Sequence, residues 1–77
     1  MTKEQFSARL RQLRDARKLT QLQVSSGAQI YLTLYECYEN PKYSRVPTYK
    51  NLIKLADFFG CSVDYLLCQT GNPIRNS

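Results

Sequence analysis

Grouped cations are the side chains in this chain most able to do chemistry. Lys3, Arg9, Arg11, Arg14, Arg17 and Lys18 precede residue 28 against only Glu4 and Asp15, and Lys42, Arg45, Lys50, Lys54 and Arg75 follow residue 40 against Asp57 and Asp64. Residues 28–40 hold Glu36 and Glu39 and no cation. A net charge of +5 on 77 residues, split into two basic arms around an acidic middle, points to a polyanion, and nucleic acid is the commonest one. The same balance also suits a solvated surface that keeps a small protein soluble. Other chemistries have no starting point. There is no histidine, so the usual zinc ligand and the usual acid–base group near neutral pH are missing. Cys37, Cys61 and Cys68 are odd in number, and their spacing fits neither a disulfide framework nor a zinc site. The expectation is a binding protein and not an enzyme, with no metal and no cofactor.

The elements that position these groups are helices. The length suits one domain with barely enough chain for a single core. No apolar run approaches 18 residues, so no membrane span is expected. The start, MTKEQFSARL, is polar where a signal peptide needs an apolar stretch, which predicts a cytoplasmic protein. Thr2 followed by Gln5 forms a capping box, and Phe6, Leu10 and Leu13 behind it recur at helical spacing to about Ala16. Thr20 and Gln23 form a second box, opening a short helix with Leu22 and Val24 that ends near Gly27. A third helix lies on YLTLYECYE and stops at Asn40-Pro41, because proline disfavours helix in the residue before it. After the loop NPKYSRVP, Thr48 caps a helix whose stripe of Leu52, Ile53, Leu55, Ala56 and Phe59 is wide enough to be the central core element. Gly60 ends it, and Ser62 caps a last helix with Val63, Leu66 and Leu67. The fold class is all-α, a five-helix bundle over residues 1–70, with 71–77 a frayed tail.

Two adjacent capped helices with a tight turn between them suggest a helix-turn-helix. LTQLQV, then YEN, then PTYKNLIKLADFFGCSVDYLL resemble the Cro and lambda-repressor-like, XRE-type helix-turn-helix family over about residues 6–67. Leu19, Thr20 and Gln21 match its Leu-Ser/Thr-Gln start. Tyr38 and Glu39 match its Tyr-Glu pair, and Pro47 through Ser62 match its second half with Cys61 in place of valine. The resemblance implies a transcriptional regulator of repressor type that binds double-stranded DNA, usually as a homodimer. It implies a structural salt bridge between Arg14 and Glu39. It also implies phosphate contacts from Gln21 at the start of helix 2, and from Lys42, Tyr43 and Arg45 on the far side of the groove. Val63 and Tyr65 match the place where relatives form dimers.

The resemblance further implies that helix 3 enters the major groove with Tyr31, Leu32, Thr33, Glu36 and Cys37 facing the bases, while Ile30, Tyr35 and Tyr38 pack inward. Here the chain departs from its relatives, which commonly place Gln, Arg, Ser or Asn on that face because bases are read by hydrogen bonds. Thr33 retains a hydrogen-bonding group, Tyr31 or Leu32 suits a thymine methyl, and Glu36 suits cytosine N4. A second departure is Gln29, which stands where the family usually has glycine, with Gly27 two residues earlier. A non-glycine residue is uncommon at positive φ, so an altered turn is one expectation. The competing function is a protein–protein interaction module that presents Tyr31, Leu32 and Cys37 as an apolar patch, with only weak, non-specific DNA binding.

Overall fold

Thr2, Thr20, Thr48 and Ser62 each accept a hydrogen bond from the backbone N–H three residues on, at 3.0–3.2 Å. Gln5 and Gln23 return the bond to the Thr2 and Thr20 amides, so both capping boxes close. Each cap contributes about 1 kcal/mol by satisfying a donor that a helix start leaves open. The computed structural model describes residues 2–74, in which these caps open four of five helices. The helices are α1 (Lys3–Ala16), α2 (Gln21–Ala28), α3 (Leu32–Glu39), α4 (Tyr49–Phe59) and α5 (Val63–Leu66), with no strand among the described residues. The third helix starts at Tyr31 without a side-chain cap.

The helix ends are as regular as the starts. Lys18, Gln29, Gly60 and Cys68 adopt φ of 56°, 58°, 66° and 59°. In each case the following amide bonds back to the carbonyl five residues before it: Leu19 to Arg14, Ile30 to Ser25, Cys61 to Ala56 and Gln69 to Asp64. These are Schellman turns, which satisfy the carbonyls a helix end leaves open. Gln29 therefore takes the left-handed conformation that glycine adopts without strain, and the turn between α2 and α3 closes without alteration. Gly27 serves a different purpose. A Cβ there would lie 2.2 Å from the Phe58 ring, so the missing side chain lets α4 approach α2.

Phe6, Leu10, Val24, Ile30, Tyr35, Tyr38, Leu55, Phe59 and Leu66 fill the core from all five segments. Ile30, Tyr35 and Tyr38 pack inward as expected. Two residues expected on core-facing stripes do not: Leu22 is 58% exposed, and Ile53 lies at the edge of the α4 stripe. An α2 of eight residues has one buried line, and Val24 and Ala28 occupy it, which turns Leu22 outward. The described part of the tail is irregular, and Pro73 accepts a bond from the Ser62 amide at 3.1 Å. Arg75 and the rest of the tail lie outside the described residues.

Candidate nucleic-acid interface

Glu39 ends α3 with its side chain 1% exposed, and a carboxylate that far from water must have its oxygens occupied. Oε2 accepts Arg14 Nε at 2.8 Å and the Tyr35 hydroxyl, while Oε1 accepts Arg14 Nη2 at 3.0 Å and Gln21 Nε2 at 3.2 Å. Arg14 and Glu39 are thus a bidentate pair, and the same carboxylate ties α1, the start of α2 and α3 to one point. The bond to Glu39 raises the Arg14 pKa. Burial, and then the bond to Glu39, push the Tyr35 phenol well above its ordinary value. No buried side-chain nitrogen or oxygen among the described residues lacks a partner.

On this frame the residues expected to face DNA divide by exposure. Tyr31 is 84% exposed at the head of α3, Thr33 and Glu36 are exposed one turn apart, and Leu32 and Cys37 are half-buried. Gln21 is half-buried, and one N–H of its side-chain amide donates to Glu39, helping to hold α2 to α3 and leaving the amide a second N–H. Beside it an open cleft runs past Arg11, Arg14, Thr20, Glu36 and Pro41. Lys42, Tyr43 and Arg45 all lie exposed on the loop after α3, which begins with an Asn40 turn: Asn40 Oδ1 accepts the Lys42 amide at 3.0 Å and Asn40 O the Tyr43 amide at 3.1 Å. Val63 and Tyr65 are half-buried, and the Tyr65 ring lies beneath the Arg9 guanidinium at 3.8 Å.

The cations sort differently from their grouping in the chain. Lys3 Nζ donates to Cys37 O, Asn40 O and Tyr43 O at 2.8–2.9 Å. Arg9 donates to Tyr65 O at 2.8 Å, Arg17 to Phe58 O at 3.2 Å and to Phe59 O, and Lys54 to Gln29 O at 3.1 Å. Apart from Tyr43 O, which lies in the loop after α3, these carbonyls stand at helix ends and carry the negative end of the helix dipole. Burial pulls the Lys3 pKa below its usual value, partly offset by Cys37. With Arg14 on Glu39, four of the six cations before residue 28 tie α1 to other parts of the protein, and Arg11 makes a long bond of 3.5 Å to Ser7 O within α1. Side chains of Lys18, Lys42, Arg45 and Lys50 are exposed and make no hydrogen bond or ion pair among the described residues. Only Asn40-Pro41 hints at the Lys3 clamp in the sequence, since an abrupt stop leaves carbonyls needing donors; nothing nearby names a partner 34 residues away.

A family model described as a helix-turn-helix domain matches residues 8–72. The chain belongs to the XRE-type helix-turn-helix family. It is 40% identical over 68 residues to the uncharacterized HTH-type transcriptional regulator YobD of Bacillus subtilis (strain 168), covering 88% of this chain and 59% of that protein. It is 39% identical over 62 residues to the uncharacterized HTH-type transcriptional regulator YqaE of the same organism, covering 80% of this chain and 52% of that one. The helix-turn-helix chain thus spans between half and three fifths of the curated relatives it matches. No solved structure gives a significant match. Among the described residues, no helix is long and apolar enough to cross a membrane, and no group of three or more His, Cys, Asp or Glu could hold a metal ion.

Proposed function

We propose that this helix-turn-helix domain is a DNA-binding transcriptional regulator that docks α3 in the major groove, as a homodimer joined near Val63 and Tyr65. The observation that carries the reading is the Glu39 junction, which sets the start of α2 beside an α3 whose outer face is held clear of the core. In that pose the free N–H groups of the first turn of α2 meet one phosphate, and Lys42, Tyr43 and Arg45 grip the backbone across the groove. Gln21 acts mainly by holding α2 in register. Thr33 hydrogen-bonds a base edge, Tyr31 and Leu32 touch thymine methyls, Glu36 suits cytosine N4, and Cys37 stays at the margin. With no bidentate Arg, Asn or Gln contact, worth about 1–3 kcal/mol each, much of the specificity falls to methyl contacts and DNA shape.

Selection of bound duplexes from a random DNA pool, followed by titration of the winner at two salt concentrations, tests this. An enriched, roughly palindromic site is expected, because two-fold protein symmetry is mirrored in half-sites one helical turn apart. Thr33→Ala should change which sequences win. Weak, steeply salt-dependent binding without enrichment would mean attraction to phosphates alone. The 84% exposure of Tyr31 would then favour the second reading, a protein-binding module that uses the apolar face of α3.

A further inference from the structure

Lys3 has three N–H donors, and all three are used on one neighbourhood. They reach Cys37 O in the last turn of α3 at 2.8 Å, Asn40 O just past its end at 2.9 Å, and Tyr43 O inside the following loop at 2.8 Å. One turn further along α1, Ser7 Oγ donates to Tyr38 O at 2.8 Å. The last turn of α3 contains no basic residue of its own, so α1 supplies the positive charge its carbonyls favour. Tyr43 O belongs to no helix, and holding it fixes the loop path between Lys42 and Arg45. A compact ammonium with three rotatable donors suits three carbonyls around a point, whereas the planar guanidinium fork does not.

We propose that Lys3 is a positioning residue that sets the backbone-gripping loop against the base-facing helix, so that α3 and the Lys42–Arg45 segment meet DNA as one rigid surface. This rests on the DNA-binding reading above for its consequence, but the ordering of the loop is a property of the free protein. The residue touches no DNA itself. Its effect passes through the Asn40 turn, whose bonds to the Lys42 and Tyr43 amides keep their geometry only while the carbonyl side of the loop is held.

Amide hydrogen exchange of the free protein, with Lys3→Met, Lys3→Arg and the exposed control Lys18→Met, tests the ordering. The Lys42 and Tyr43 amides should exchange about tenfold faster or more in both Lys3 variants, with core amides such as Leu55 unchanged and Lys18→Met like the parent. Unchanged loop exchange in Lys3→Arg and Lys3→Met would overturn the proposal, as would uniform acceleration across the chain, which marks a residue that merely stabilises the fold. Titration of the selected duplex is the second arm. Lys3→Arg keeps the charge, so a tenfold or greater loss of affinity with Lys3→Arg reports geometry, while parent-like affinity despite a loosened loop would overturn the coupling to DNA. If the parent enriches no duplex, the DNA reading fails alone and the exchange result still decides whether Lys3 orders the loop.

Discussion

Arg14→Met and Glu39→Gln cut the same ion pair and should not be equally damaging. Removing one partner of a buried pair destabilises by about 3–5 kcal/mol, because the other charge is left unpaired. Arg14→Met strands the carboxylate, whose side chain is 1% exposed and keeps only Gln21 and Tyr35 as donors; it belongs at the upper end of that range. Glu39→Gln strands a guanidinium that is 18% exposed, still bonded to Leu19 O and 3.4 Å from Asp15. Water reaches it, so a loss of about 2–3 kcal/mol is expected, below the fully buried value. A domain of this size has roughly 4–12 kcal/mol in total, so Arg14→Met should leave it marginal. Urea unfolding followed by far-UV circular dichroism measures both, since the chain has no tryptophan. With an m-value of about 1 kcal/mol/M, Glu39→Gln should lower the midpoint by about 2–3 M. The double variant removes the stranded charge and should be more stable than Arg14→Met alone. Equal losses, or losses under about 1 kcal/mol as at exposed pairs, would refute the account of a desolvated junction.

Three further outcomes follow from the helix ends and the core. Gln29→Gly should stabilise the fold by about 0.5–1 kcal/mol, the left-handed strain relieved less the extra chain entropy of glycine, measurable as a rise in urea midpoint. Gly27→Ala should destabilise by about 1–2 kcal/mol despite better helix propensity, because the new methyl drives into the Phe58 ring; a gain in stability would show that the ring moves aside freely. Tyr35→Phe should lose about 1.5–3 kcal/mol at neutral pH by removing a bond to a charged group. The gap should then narrow in alkali. The folded phenol titrates above its ordinary value of 10.0, so past that pH the unfolded chain releases a proton the native state keeps, and stability falls by up to about 1.4 kcal/mol per pH unit. Tyr35→Phe lacks that share, and parallel pH profiles of the two proteins would contradict it.

Helix starts were legible because a cap and its receiver lie three residues apart, and Thr2, Thr20, Thr48 and Ser62 each announce one. Helix ends were legible at Asn40-Pro41, where proline stops α3, and at Gly60, while glycine marks no other left-handed cap. Lys18, Gln29 and Cys68 take the same backbone conformation without glycine. What fixes the turn at Gln29 is the burial of Ile30 next to it, a tertiary effect that overrides the local preference. The Arg14–Glu39 pair came from family resemblance, and spacing alone offers no reason to join residues 25 apart. The place of Gln21 at a helix start is visible in the sequence, whereas its bond to Glu39 depends on how α2 crosses α3. The helix arginines were harder still. Their periodicity marks an exposed face, yet Arg9 and Arg17 reach around it to carbonyls more than 50 and 40 residues away.

That reassignment of cations changes what the net charge means for DNA. A guanidinium bonded to neutral carbonyls keeps its charge, so Arg9 and Arg17 still contribute to the long-range field that draws a polyanion in. They are held against the ends of α5 and α4 and are not available to replace counterions on a phosphate. The segment from Asn40 through Ala56, the loop and most of α4, is the reverse case: it carries Lys42, Arg45, Lys50 and Lys54 without one acidic residue, and of these side chains only that of Lys54 is bonded to another described residue. The dependence of log affinity on log salt counts neutralised phosphates at about 0.9 each on duplex DNA. Arg45→Ala should therefore reduce that slope by about one and weaken binding uniformly across sequences, while Arg17→Ala should lower the urea midpoint and leave the slope unchanged. Measuring both slopes on one duplex decides the matter. If Arg17→Ala flattens the salt dependence as much as Arg45→Ala, α1 lies on the DNA, and the orientation assigned to α3 is wrong.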